Sequence, residues 1–177
     1  MNSKLSARPI ALEDIPYLSA YWTGASPDFL RGMGADPAKM PAMDEFRQML
    51  TQQVSLDYKN KQSFATIWEL DGQRIGHCNV NKIIFGKEAY MHLHLWNQEN
   101  RKGGLGQQLV RLSLPWFFNK LELEVLYCEP YSLNPAPNKT LEKAGFEFVR
   151  SYTCVPGSIN FEQEVNLWKM EREKLSS

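Results

Sequence analysis

The sequence has no excess of charge of either sign. In this chain of 177 residues, twenty lysines and arginines balance twenty aspartates and glutamates, so the formal net charge at pH 7 is zero. A neutral chain has no overall field that draws it to nucleic acid or to an anionic membrane, although a local basic patch is compatible with this balance. We therefore expect neither a nucleic-acid nor a membrane partner.

Cysteines and long apolar runs are also scarce. Cys78, Cys128 and Cys154 are odd in number and lie in apolar stretches, which favours reduced, buried thiols over a disulfide framework. No stretch is long enough to cross a bilayer, and residues 1–6 contain no apolar signal segment. These features predict a soluble, cytoplasmic protein with a single domain over residues 1–177.

A glycine-rich segment, residues 95–110, predicts a strand, then a loop, then a helix. The unpaired N–H groups of a helix start carry a partial positive charge, and glycines let a large anion approach them. Two common phosphate loops are absent, because no Gly-Lys-Ser/Thr follows and no Gly-x-Gly-x-x-Gly occurs near the N-terminus. The pattern present is Arg-x-x-Gly-x-Gly, formed by Arg101, Gly104 and Gly106, and it predicts a polyphosphate site.

Two motifs together resemble those of the GNAT superfamily of acyl-CoA N-acyltransferases. The Arg101 loop is similar to the family's acyl-CoA loop, and residues 134–146 are similar to its later Asn-x-x-Ser-x-x-x-x-x-Lys-x-Gly-Phe helix. The resemblance is closest to the branch that contains ribosomal-protein N-terminal acetyltransferases. It implies transfer of an acetyl group from acetyl-CoA, without a metal, to a primary amine of a protein N-terminus or a small molecule.

The order of predicted elements indicates the fold class. Helices alternate with strands after an early meander, which predicts a mixed α/β fold with helices on both faces of a central sheet. The GNAT resemblance implies that this sheet is mostly antiparallel. It also implies that the fourth and fifth strands, predicted over residues 89–97 and 121–129, splay apart to admit the pantetheine arm.

Three local predictions bear on the site. Residues 23–41 lack periodicity and predict a long loop, which is either a lid beside the acceptor pocket or a plain packed loop. A helix is predicted from Met43 to about Asn60. The helix after the glycine loop is expected to pack one stripe on the sheet and to bend or end early at Pro115; the stripe comprises Leu105, Leu109, Leu112 and Trp116.

The resemblance also implies which residues hold the cosubstrate. Loop N–H groups would bind the pyrophosphate, the end of the fourth strand would pair with the arm, and Asn134 would hydrogen-bond it, although Asn134 also suits a turn before Pro135. The full implied set is Leu95, Trp96, Asn97, Arg101, Lys102, Gly103, Gly104, Leu105, Gly106, Gln107, Asn134 and Asn138.

The proton-transfer groups are less defined by the sequence. His92 and His94 alternate along the fourth strand and share a face, so His94 is a candidate base, directly or through water. Alternatively, both imidazoles are simply hydrogen-bonded on the sheet surface. A metal site is not expected, because His-x-His lacks evident further ligands.

This chain departs from the family where an acid is expected. Leu141 replaces the tyrosine that many members use to protonate the leaving thiolate, and Pro137 replaces a serine common in the ribosomal-protein branch. Tyr131 is the candidate acid, with Tyr152 or solvent as alternatives. Besides an enzyme, acting as a monomer or homodimer, the sequence leaves open a CoA-binding module without turnover and a nucleotide-binding regulator.

Overall fold

The computed structural model describes residues 2–101 and 103–176. This part of the chain forms seven strands and five α-helices, with short 3-10 turns between some of them. The strands are β1 (Leu5–Pro9), β2 (Phe64–Leu70), β3 (Gln73–Ile84), β4 (Glu88–Leu95), β5 (Val125–Cys128), β6 (Glu147–Cys154) and β7 (Gln163–Glu171). The helices are α1 (Ile15–Thr23), α2 (Pro27–Gly32), α3 (Met43–Ser55), α4 (Leu105–Lys120) and α5 (Pro135–Ala144).

The strands form one mixed sheet in the order β1-β2-β3-β4-β5-β7-β6. Among the described strands, β4 and β5 pair in parallel and the other neighbours pair antiparallel. Asp71 and Gly72 both have positive φ and form the two-residue turn of the hairpin between β2 and β3. The mixed, mostly antiparallel α/β fold is therefore confirmed.

β4 and β5 separate after a short paired stretch. In the described chain they pair from Glu88 opposite Val125 to Tyr90 opposite Tyr127, and β4 then continues to Leu95. Beyond β5 the chain bonds to β7 instead, since Ser132 N donates to Glu164 O at 2.9 Å. The predicted splay of these two strands is thus present, and it opens on the side of β4 that leads to the glycine-rich loop.

The two faces of the sheet differ in what covers them. On one face, the main core includes Trp68, Met91, Phe117 and Leu141, and it joins the sheet to α4 and α5. On the other face, a smaller cluster that includes Ile15, Leu18, Leu50 and Ile67 joins it to α1 and α3. Helices lie on both faces, as predicted, and the second face is incompletely filled.

The predicted apolar stripe of α4 is wrong in one position, and Pro115 does not end the helix. Leu112 is 41% exposed, whereas Val110, Ser113 and Phe117 are fully buried. The buried polar residue explains the difference: the Ser113 hydroxyl lies 2.8 Å from both Trp68 Nε1 and Thr66 Oγ1, so a serine occupies the position at the sheet. The helix continues to Lys120.

Residues 23–41 are not a continuous loop, because they contain α2. Ser26 caps this helix by accepting a hydrogen bond from Phe29 N, and Pro27 occupies its first turn. The same segment is tied to the β6–β7 loop, where Asp36 N donates to Ile159 O at 2.7 Å and Asn160 Nδ2 donates to Gly34 O at 2.9 Å. Residues 23–41 are therefore a packed segment held to the β6–β7 loop by specific hydrogen bonds.

Two other element ends differ from the sequence-based expectation. α3 ends at Ser55, because the chain turns at Asp57, whose carboxylate accepts from Asn60 N at 3.1 Å. The fifth strand, predicted over residues 121–129, begins only at Val125. Leu121 and Leu123 lie in the turn before it, where they are buried in the core. No helix in the described chain combines the length and the apolar character that a bilayer crossing requires.

Asp14 fixes the start of α1 to the sheet. Its fully buried carboxylate accepts a bidentate pair from Arg8 at 2.7 and 2.9 Å and a bond from Arg74 Nε at 2.7 Å. Burial acts to raise its pKa, but the hydrogen bonds from Arg8, Arg74 and the Ala11 N–H lower it to about 2. This cluster links α1 to β1 and β3.

We therefore expect Asp14→Asn to lower the free energy of unfolding at neutral pH by about 2 kcal/mol. The stabilisation is present above the unfolded-state pKa near 3.8 and is lost as the pH falls towards 2, so the difference from wild type should shrink with acidification. Urea unfolding at several pH values measures it. Asp28→Asn, whose side chain is fully exposed, is the control and should change stability little.

Candidate functional site

The N-terminus of α4 is built to expose its backbone amides. Gly103 and Gly104 both have positive φ, +84° and +73°, and Gly104 caps the helix without a side chain. A Cβ at Gly106 would lie 3.4 Å from the Thr140 side chain, so a small residue lets α4 approach α5 closely. The first-turn N–H groups therefore face outward without a side-chain cap from the described residues.

The Arg101 side chain turns back towards the end of β4. Its Nε and Nη2 donate to Leu95 O at 3.3 and 3.1 Å, and its guanidinium lies 4.9 Å from the centroid of the Phe29 ring. This places a fixed positive charge beside the glycine-rich loop. Lys102, which the sequence also predicts to bind the cosubstrate, lies outside the described residues.

Backbone groups of β4 face the gap that the splay opens. Trp96 N donates to Ile75 O at 2.9 Å on the β3 side, whereas Met91 O accepts from the Cys128 thiol at 2.9 Å on the β5 side. Because hydrogen bonds of an antiparallel strand alternate between its two edges, Leu93 and Leu95 share the edge of Met91. Leu95 is among the residues predicted from the sequence, whereas Leu93 is identified only by this alternation.

The two predicted asparagines of α5 have different surroundings. Asn138 Nδ2 donates to the backbone oxygens of Asn134 and Tyr131 at 2.8 and 3.2 Å, and its Oδ1 accepts from Asn166 and Trp168, each at 3.0 Å. Asn138 therefore ties α5 to β7. The half-buried Asn134 side chain makes no capping bond within the described chain, so its amide remains available to a ligand.

All three histidines of the chain line one cavity, which we call the sheet cavity. It has a volume of about 540 Å³ and lies over the β3–β4 face, between α1, α3 and residues 157–160 of the β6–β7 loop. His77 on β3 is directly opposite His94 on β4, and Asn79 is opposite His92. The sequence pattern paired His92 with His94, but His77 joins them only through the strand register.

Each imidazole has a defined partner. The Tyr21 hydroxyl lies 3.1 Å from His94 Nδ1, and the His94 ring stacks on His77 with centroids 4.8 Å apart. His77 Nδ1 accepts from Trp96 Nε1 at 2.9 Å, and His92 Nε2 lies 3.0 Å from Asn81 Oδ1. The rings are hydrogen-bonded, as one of the two sequence-based alternatives predicts, and they also line a cavity; the role of His94 as a base stays a prediction.

Burial keeps the three imidazoles neutral. It lowers the pKa of His77 to about 3 and of His92 to about 4, with smaller contributions from His92 and Lys82 respectively. The pKa of His94 is also lowered well below its usual value by burial, then by His77, His92 and Arg101. A neutral imidazole carries one lone pair that can accept a proton, but in His77 this lone pair already accepts from Trp96, and the lowered pKa makes each ring a weaker base than free imidazole.

A second cavity, the loop cavity, adjoins the first. It measures about 510 Å³ and is bounded by α1, the start of α2 and the segment from Trp96 to Arg101. Tyr21 lines the loop cavity while its hydroxyl contacts His94 of the sheet cavity. The predicted Asn97 also lies here.

The two candidate tyrosines differ in their hydroxyl partners. Tyr131 forms an isolated bridge with Val165, and its ring packs edge-on against Phe161 with centroids 5.6 Å apart. The Tyr152 hydroxyl donates to Glu129, which is 5% exposed and also pairs with Lys82. Tyr152 is therefore engaged, while the Tyr131 hydroxyl has no hydrogen-bond partner among the described residues. No three of the described His, Cys, Asp and Glu side chains are placed to hold a metal ion.

Comparisons with known proteins agree on the fold. A family model described as an acetyltransferase (GNAT) domain matches residues 4–147. RimL, a ribosomal L7/L12 alpha-N-protein acetyltransferase solved in complex with coenzyme A, is 15% identical, with a TM-score of 0.76 over 94% of this chain and 93% of that one. No curated protein matches the sequence at a significant level.

Two other solved structures are similar over nearly the whole chain. The aminoglycoside acetyltransferase AAC(6')-Ib, in complex with coenzyme A, is 18% identical, with a TM-score of 0.73 and 98% coverage of both chains. A chimera of the spermidine N-acetyltransferase SpeG from Vibrio cholerae is 16% identical, with a TM-score of 0.74 over 97% of this chain and 98% of that one.

We expect His77 and His92 to remain neutral in the folded protein down to about pH 5, because burial lowers their pKa values to about 3 and about 4, and we expect His94 to titrate well below its usual pKa for the same reason. NMR titration of the imidazole resonances measures this. The unfolded chain protonates near pH 6.5, so acidification below that value should also lower the free energy of unfolding. A histidine resonance that titrates near neutral pH would contradict the assignment.

Proposed function

Since the chain belongs to the GNAT acetyltransferase family, we propose that it is an acyl-CoA-dependent N-acetyltransferase that moves an acetyl group from acetyl-CoA to a primary amine by direct attack. The observation that carries the proposal is the uncapped N-terminus of α4 beside the gap between β4 and β5. Residues 1–177 act as one cytoplasmic domain in this proposal. The solved relatives, named for a ribosomal protein, aminoglycosides and spermidine, support an amine acceptor.

The first task of the site is to hold the pyrophosphate. The backbone N–H groups of residues 103–107 form the anion site, and the glycine conformations at 103 and 104 keep the approach open. Arg101, held by Leu95 O and Phe29, adds a positive charge at a fixed position. These contacts need no metal.

The second task is to align the thioester in the gap. The free backbone edge at Leu93 and Leu95 hydrogen-bonds the pantetheine arm, and the Asn134 amide completes this contact. One N–H of this edge also donates to the oxyanion that develops on the thioester carbonyl. The Leu95 carbonyl already accepts from Arg101, so the Leu95 N–H is the better candidate for a new bond.

The chemical step follows from the groups around the gap. The lone pair of a neutral amine attacks the carbonyl carbon, the new C–N bond forms, and the C–S bond of the tetrahedral intermediate breaks to release the thiolate. His94, neutral and facing the sheet cavity, takes the amine proton directly or through a water. Tyr131 supplies a proton to the leaving sulfur, because its hydroxyl is not committed to another described residue.

A CoA-binding module without turnover is the second candidate. The observation that favours it is Leu141, which fills the family's tyrosine position and is fully buried in the core. Incubation with acetyl-CoA and a panel of amines, with detection of free thiol, separates the two. Thiol release that depends on an amine supports the enzyme, whereas tight CoA binding without release for any amine supports the module.

Gly104→Glu should weaken CoA binding at least about tenfold, because the new carboxylate lies at the helix start where the pyrophosphate binds. Isothermal titration calorimetry with CoA measures the effect. Gly72→Glu is the matched control, since Gly72 has nearly the same positive φ, +79°, and open space in the β2–β3 hairpin. An equal loss of affinity in both variants, or no loss in the first, would refute the loop assignment.

His94→Ala should lower kcat about 10- to 100-fold and remove the loss of rate that protonation of His94 causes well below pH 6.5, while CoA affinity is retained. Tyr131→Phe should lower the rate of thiol release without changing the profile attributed to His94. Stopped-flow detection of free thiol across a pH series measures both. His92→Gln and Tyr152→Phe are the corresponding controls. A wild-type rate and pH profile in His94→Ala would remove His94 from the mechanism, and a wild-type rate of thiol release in Tyr131→Phe would remove Tyr131.

A further inference from the structure

The sheet cavity has an unusual charge pattern for a site that binds amines. Among the described residues that line it, two carry a full charge, and both are lysines. Lys39 Nζ donates to Asn160 O at 2.9 Å, and Lys61 donates to the backbone oxygens of Gln53 and Val54. Neither lysine forms an ion pair with a described carboxylate, and Asp57, which acts electrostatically on Lys61, does not line the cavity, so the charged lining is positive rather than negative.

Nearby carboxylates do not change this pattern. Asp36 is used locally to cap the following turn through Ala38 N, and the Asp28 side chain is fully exposed beside Arg31. Glu129 follows β5 and is engaged by both Lys82 and Tyr152. None of these three carboxylates is among the residues that line the sheet cavity or the loop cavity.

The rest of the lining is neutral or apolar. The three imidazoles, Asn79 and Asn81 form the polar floor on β3 and β4. The walls are apolar and include three methionines, whose flexible thioethers adapt to differently shaped ligands. The main apolar lining residues are Trp22, Met33, Met40, Phe46, Met49 and Ile159.

From this distribution of charge we propose that the acceptor is a small monoamine with an apolar body, rather than a polyamine or an aminoglycoside. The proposal rests on the proposed acetyltransferase function and specifies its substrate class. A polycation would bring a second ammonium into a cavity without a carboxylate to pair it, and an unpaired buried charge costs several kcal/mol.

A single amino group fits the same cavity for a mechanistic reason. The amine must be neutral to attack, and an apolar, weakly positive environment disfavours its ammonium form. The apolar body gains free energy by filling the methionine-lined walls. A volume of about 540 Å³ is within the range typical of small-molecule pockets.

The substrate class is tested with the whole protein, acetyl-CoA and four amines. We expect phenethylamine and hexylamine to give a kcat/KM at least about tenfold higher than spermidine or kanamycin, measured by thiol release; tenfold corresponds to ~1.4 kcal/mol. A preference for either polycation would overturn the proposal and leave the acetyltransferase function intact. Preferential acetylation of a short peptide N-terminus would also overturn it.

A binding measurement separates this inference from the proposed function. In the CoA-saturated protein, phenethylamine should shift the imidazole resonances of His92 and His94, and spermidine at equal concentration should not. Shifts without thiol release would support the substrate class and contradict turnover. If the monoamines cause neither resonance shifts nor turnover, the inference is overturned.

Adding one negative charge to the lining of the sheet cavity provides the sharpest test. Met49 lines the cavity from α3 and is 45% exposed, so a polar side chain of similar size is tolerated there. Met49→Glu should move the ratio of spermidine to phenethylamine turnover in favour of spermidine by about tenfold, since it supplies the missing counter-charge. Met49→Gln is the neutral control, and an equal change in both variants would show that charge does not set the selectivity.

Discussion

The separation of β4 from β5 is the constraint on which the site depends. The Cys128 thiol bonds to Met91 O at the point where pairing stops, and the following residues are drawn to β7 through Ser132 and Pro130. The edge at Leu93 and Leu95 then has no partner strand among the described residues, and Arg101 donates to the Leu95 carbonyl there. Because buried backbone groups without partners are costly, such an edge is maintained only where a ligand or water completes it.

The gap joins two regions with different electrostatics. On the α4 side, helix amides and Arg101 favour a large anion. On the α1 and α3 side, neutral imidazoles, amides and methionines line the sheet cavity. The reaction proposed above, between an anionic donor and an uncharged nucleophile, is compatible with this division of charge.

Much of this arrangement could be predicted from local sequence. Gly104 and Gly145 act through backbone conformation, which depends on few neighbours, since both have positive φ at the start of α4 and the end of α5, and the predicted helix after the glycine-rich loop is present. The stripe on α4 was partly wrong because a buried serine replaces an apolar residue, and this depends on Trp68 and Thr66, which lie far away in sequence. His77 joins the site only through strand register, and no single-strand pattern contains that information.

The position of Tyr21 has a further consequence. Its ring is part of the wall of the loop cavity, and its hydroxyl touches an imidazole in the sheet cavity. The Tyr21 side chain therefore lies between the loop cavity and the sheet cavity. An occupant of the loop cavity that displaces this ring would break its contact with His94 in the sheet cavity.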